Sequence, residues 1–245
     1  MLSQLRYNIL NAPLRTWPYP HVYVPNIFPA DVYAELQRNI PDPKSMIPIA
    51  EARPVKGYKE RFVQDVSGPM EALSEDQRAF WRGLSDTLRT KAFRNVMVDR
   101  FRPYLEKRFK GETVRLYDET LLVEDITNYS LGPHTDTPAK VVTVLFYLPK
   151  DDSQAHLGTS LYVPKEAGRT CPGGPHYPHE GFERAATMPF LPNSMFAFVK
   201  SDVSFHGVEP VADPDVRRWL LLYDIKAELT AEQKQKLKAA EPANG

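Results

Sequence analysis

What most constrains the fold is a change of hydrophobic period near Gly111. Ahead of it the spacing is helical. Ser74 and Gln77 form a capping-box pair, and Phe80, Leu84 and Leu88 follow four apart. Phe93, Met97, Phe101, Leu105 and Phe109 keep the same interval, which predicts a second long helix kinked at Pro103 and closed by Gly111. Residues 30–39 predict an earlier helix, with Val32 and Leu36 on one face and Pro41 and Pro43 as its stop. After Gly111 the period drops to 2, in β-rich runs at 114–117, 120–124, 141–148, 160–164, 194–199, 205–211 and 217–225. Helices followed by a series of strands predict an α+β, mainly β chain, a sandwich or jelly roll backed on one face by helices. Its β core should span 113–226, with 1–112 as helical and edge-strand support. In that support 21–28 (HVYVPNIF) predicts a short edge strand. Residues 41–69 have no regular period, and the Pro/Gly-rich stretch 168–189 predicts a loop. Thr230 with Gln233 predicts a capped C-terminal helix ending near Glu241.

At 245 residues, one domain is expected over 1–245. Lys and Arg number 31, as do Asp and Glu, so no positive field draws nucleic acid and none is expected as a partner. The longest apolar run, 141–148, falls far short of the ~20 residues that span a bilayer. No membrane partner is expected, and the N-terminal residues lack a signal-peptide core, so a cytoplasmic location is. Cys171 stands alone, which excludes an intrachain disulfide and fits a reducing compartment.

The chemistry gathers in 132–148, GPHTDTPAKVVTVLFYL. His134 and Asp136 are two apart in an extended segment, so their side chains share a face and can meet one metal ion. The best further ligand is His206 in FHGVEPV, and two His with one carboxylate is the ligand set of non-haem Fe(II) oxygenases. Twelve positions on stands Arg218, in RRWLLLYDI, whose fork suits the carboxylate of a bound acid. Alternation on a strand lets only one of Arg217 and Arg218 face the site. The competing role for Arg218 is a structural salt bridge to Asp213 or Asp215. Cys171, His176 and His179 in CPGGPHYPHE lack a fourth ligand for zinc and are expected near the mouth of the site.

Taken in order and spacing, YSLGPHTD, VVTVLFYLPKD, LGTSLYV, FHGVEPV and RRWLLLYD resemble the prolyl 4-hydroxylase-like branch of the 2-oxoglutarate and Fe(II)-dependent oxygenases. The match runs over 129–225, about two fifths of the chain. The resemblance implies a double-stranded β-helix and metal ligation by His134, Asp136 and His206. It also implies a salt bridge from Arg218 to the distal carboxylate of 2-oxoglutarate, with Tyr147, Thr143 and Tyr129 as further cosubstrate contacts. The activity implied is hydroxylation of an unactivated C–H bond in a peptidyl residue, amino acid or small metabolite, with release of succinate and carbon dioxide. Fe(II), 2-oxoglutarate and O2 are then required, with ascorbate as a candidate reductant. Asp136 argues against a halogenase, which gives up the carboxylate to make room for halide. By analogy with relatives, 41–69 and 168–189 should frame the mouth. The chain departs from the pattern at Gly158, Thr159 and Ser160, where Gly-Gly is usual, in a longer loop between His206 and Arg218, and in Leu220, where a small residue is frequent. Two other classes stay open: an inactive jelly-roll binding module, and a cupin-like metal protein that makes no use of 2-oxoglutarate.

Overall fold

A computed structural model describes residues 1–53, 58–110 and 113–230. Its elements are α1 (Leu2–Asn11), β1 (His21–Val24), α2 (Ala30–Arg38), β2 (Ile47–Pro48), α3 (Ile49–Ala52), β3 (Arg61–Asp65), α4 (Glu75–Leu88), α5 (Lys91–Arg100), α6 (Arg102–Phe109), β4 (Leu116–Ile126), β5 (Leu131–His134), β6 (Lys140–Tyr147), β7 (Thr159–Pro164), β8 (Phe182–Met188), β9 (Ser194–Val199), β10 (His206–Val208) and β11 (Arg217–Ala227). Seven strands form the major sheet in the order β1-β9-β6-β11-β4-β3-β2, and four form the minor sheet in the order β5-β10-β7-β8. Every pairing between strands is antiparallel. This is the jelly roll expected from the change of period.

Alternation along each central strand of the major sheet explains why helices cover one face only. On β11, Trp219, Leu221, Tyr223 and Ile225 join Val144 and Phe146 of β6 in a core shared with Trp81, Leu88, Phe93 and Met97 of the helices. Burying each such side chain contributes on the order of 1.5–3 kcal/mol. Residues one position away, Leu220, Val123, Tyr147 and Phe198 among them, face the minor sheet and fill the interior of the roll. The site is built on that inner face.

Ser74 and Gln77 make the expected capping box at the start of α4. The long helix expected beyond it is instead two, α5 and α6, broken at Phe101 (φ −108°, ψ 10°). Pro103 has no N–H to continue the ladder, so the helix restarts there. The stretch 168–189 is not wholly loop, because Phe182–Met188 pairs with β7 as the outer strand of the minor sheet. Its Glu183 and Arg184 are exposed, as suits an edge strand, and they mask its alternation. Within 41–69, β2 and β3 extend the major sheet, and the two runs expected at 114–117 and 120–124 are one long strand, Leu116–Ile126. β10 is shorter than the run 205–211. α1 has no counterpart among the sequence expectations; it buries Leu5 and Ile9, one turn apart. Gly111 and residues 231–241 of the expected C-terminal helix lie outside the described residues.

Candidate metal centre and its pocket

β5 and β10 pair so that His134 and His206 stand directly opposite one another in the minor sheet. That approach is close: a Cβ on Gly207 would lie 2.3 Å from the Leu131 carbonyl oxygen, so only glycine fits beside His206. Asp136 completes a buried cluster in which one ligand atom from each of the three residues lies within 4.8 Å of the others.

The shell around the cluster sets its chemistry. Each imidazole directs Nδ1 at a carbonyl two residues back, His134 to Gly132 (3.0 Å) and His206 to Ser204 (2.9 Å). Donation there leaves Nε2 with its lone pair toward the cluster, the orientation a metal ligand needs. Burial holds both imidazoles below their ordinary value, His134 well below it with help from the neighbouring His206 and His176, so both are neutral donors at neutral pH. Burial alone would raise the Asp136 carboxyl. The Lys140 ammonium, the two histidines and a hydrogen bond from Thr143 more than offset it, and Asp136 is held far below the usual range as a carboxylate. Thr143 Oγ1 donates to one carboxylate oxygen (2.6 Å) and Lys140 Nζ lies 3.0 Å from the other. Lys140 also reaches the buried Asp224 (3.1 Å), which pairs with Thr143 across β6 and β11. Two neutral imidazoles and one carboxylate, each oriented by a neighbour, are a donor set that fits ferrous iron.

A pocket runs from these three residues into the roll between Thr143, Leu145, Leu220 and Leu222, and reaches Arg218. Arg218 is 1% exposed and its interior position on β11 is settled, since Arg217 turns outward to Glu124. The salt-bridge partner of Arg218 is neither Asp213 nor Asp215 but Asp125, at 2.7 Å, and its Nε donates to the Leu157 carbonyl at 2.6 Å. Asp213 pairs with His156 at the surface.

The remaining sequence candidates separate. Thr143 lines the pocket, but its hydroxyl is committed to Asp136. Tyr147 donates to Thr159 Oγ1 (2.8 Å), and Thr159 is the residue of the pair that lines the pocket. The Tyr129 ring lies under the Arg61 guanidinium (4.5 Å), and its buried hydroxyl has no partner among the described residues. His176 is brought to the mouth, its ring 4.3 Å from that of His134 and in contact with Tyr58. Sequence reasoning passed over Lys140, Asp125, Asp224 and Arg61. Lys140 is one helical-looking interval after Asp136, though the segment is extended. The signal for Asp125 and Asp224 was available: each is a carboxylate that continues an apolar inward alternation, Leu121 and Val123 before Asp125, Leu220 and Leu222 before Asp224. Arg61 carried none, because its segment showed no strand period.

Neither protein-family models nor curated proteins yield a match to this chain. Solved structures do. A prolyl hydroxylase from Trichoplax adhaerens, solved with a hypoxia inducible factor oxygen degradation domain peptide fragment, superposes over 98% of this chain and 93% of its own, with a TM-score of 0.50 and 12% identity. A Pseudomonas putida prolyl-4-hydroxylase covers 92% of this chain and 99% of its own at a TM-score of 0.49 and 14% identity. A Burkholderia pseudomallei oxidoreductase of the 2OG-Fe(II) oxygenase family gives 0.48 and 14%. At such identities the likeness concerns the fold alone, a jelly roll that this chain shares with the Trichoplax prolyl hydroxylase.

Proposed function

We propose that this chain is an Fe(II)- and 2-oxoglutarate-dependent dioxygenase that hydroxylates an unactivated C–H bond. One observation carries the proposal: His134, Asp136 and His206 converge at one end of an interior pocket and a buried arginine, Arg218, stands at the other. A metal site alone would fit a cupin-like protein, and an arginine alone a structural ion pair. The two ends of one cavity together fit a ligand with a metal-chelating head and a carboxylate tail.

In this reading His134, Asp136 and His206 would hold Fe(II), which with 2-oxoglutarate and O2 would supply an oxidant for C–H bonds, with succinate and carbon dioxide as co-products. The chain's own work is positional. Arg218 fixes the cosubstrate tail by charge-assisted hydrogen bonds. Leu145, Leu220 and Leu222 give the pocket apolar walls that exclude water. Thr143 and Lys140 orient the carboxylate ligand. A peptidyl residue, an amino acid or a small metabolite is the proposed substrate, held at the mouth between 41–69 and 168–189.

Anaerobic addition of Fe(II) and then 2-oxoglutarate tests the reading. The expected result is a weak visible charge-transfer band that needs both additions and is lost in His134→Ala. Folded, metal-loaded protein without the band would support the cupin-like or inactive binding-module alternatives instead.

A further inference from the structure

Arg61, Asp125 and Arg218 occupy one rung across three neighbouring strands, β3, β4 and β11. Asp125 is fully buried between the two arginines. Arg61 grips it bidentately, Nε to one oxygen at 2.6 Å and a terminal nitrogen to the other at 3.0 Å. Arg218 gives that carboxylate a single terminal nitrogen and spends Nε on Leu157. Each guanidinium therefore keeps one terminal nitrogen with no partner among the described residues, and both side chains line the pocket that ends at the metal cluster. Two cations on one carboxylate leave this rung one positive charge in excess at its own end of the pocket, offset in the interior only by the Asp136 and Asp224 pair on Lys140, so an acid group bound at the rung would meet that local charge.

We infer that Arg61 is a second anchor for the carboxylate tail of the bound oxoacid, so that two arginines splayed around Asp125 select a ligand bearing an acid group at that end. The inference rests on the proposed function and adds a residue that the sequence resemblance does not reach. Asp125 is the positioning residue that holds both guanidinium planes in place. The Tyr129 ring beneath Arg61 restricts that side chain further.

The test compares two oxoacids on the Fe(II)-loaded, anaerobic protein: 2-oxoglutarate, and 2-oxopentanoate, which has a methyl group in place of the distal carboxylate. Wild type should bind 2-oxoglutarate more tightly. Arg61→Gln should weaken 2-oxoglutarate about tenfold or more, the scale of one lost charge-assisted contact, and leave 2-oxopentanoate unchanged. Arg61→Lys should recover part of the loss. Metal affinity equal to wild type verifies that the variants are folded. Unchanged 2-oxoglutarate affinity, or an equal loss for both oxoacids, would overturn the role given to Arg61 alone. Wild-type protein that takes up metal and binds neither oxoacid would overturn the proposed function, and this inference with it.

Discussion

Thr143 shows how a residue's position can be legible while its job is not. Alternation placed it correctly on the inward face of β6, and family resemblance suggested the cosubstrate as its partner. Its hydroxyl instead donates to Asp136 at 2.6 Å, opposite the Lys140 contact at 3.0 Å, so it steers a metal ligand. Thr143→Val keeps the shape and removes the donor. Hydrogen bonds behind a metal ligand are worth roughly 10–100-fold in affinity, so the variant should bind Fe(II) or Co(II) at least about tenfold more weakly, read by metal titration. Unaltered metal affinity with impaired 2-oxoglutarate binding would return Thr143 to the cosubstrate. The triad was legible because its spacing in sequence matches a strand period and a ligand set. Arg61 was not, because its importance lies in a pairing with Asp125, 64 residues away in the chain, which no local pattern records.

At the scale of elements, the legible strands were those buried on both faces, such as β6 and β9, whose apolar runs need no partner to be recognised. The edge strand β8, and β3, which is covered on its outer side only by the two-residue β2, escaped because exposure lets charged residues interrupt their alternation. The two shortest strands of the minor sheet, β5 and β10, matter most for chemistry. Their pairing sets His134 opposite His206, and that apposition depends on Gly207 lying against the Leu131 carbonyl. A methyl group there must push β10 away from β5 by pressing on backbone, which has no flexible end to yield. Gly207→Ala should therefore separate the imidazoles and cost at least about tenfold in metal affinity, as loss of ligand orientation does. The large helix-backed core contains neither strand, so cooperative unfolding should persist in circular dichroism. Wild-type metal affinity in this variant would mean that β10 can shift without moving the ligands.

On the scale of the whole molecule, the jelly roll draws ionised groups from several strands into an apolar interior, where they must balance. Arg61, Lys140 and Arg218 face Asp125, Asp136 and Asp224, three cations against three carboxylates in formal charge. A divalent ion at the triad would leave the interior with two uncompensated positive charges, and the dianion 2-oxoglutarate cancels them. Binding of metal and cosubstrate should accordingly be coupled: the cosubstrate gains its full electrostatic partner only after the metal is in place. Thermal unfolding reads this directly, since a ligand at about one hundred times its Kd stabilises the native state by about 2.7 kcal/mol. At ~2–4 °C per kcal/mol for a chain of this size, 2-oxoglutarate added to Mn(II)- or Fe(II)-loaded protein should raise Tm by several degrees. Added to protein stripped of metal by a chelator, the same concentration should leave Tm almost unmoved. Equal stabilisation with and without metal would mean that the arginine rung alone holds the dianion, and that the interior charges do not act as one coupled set.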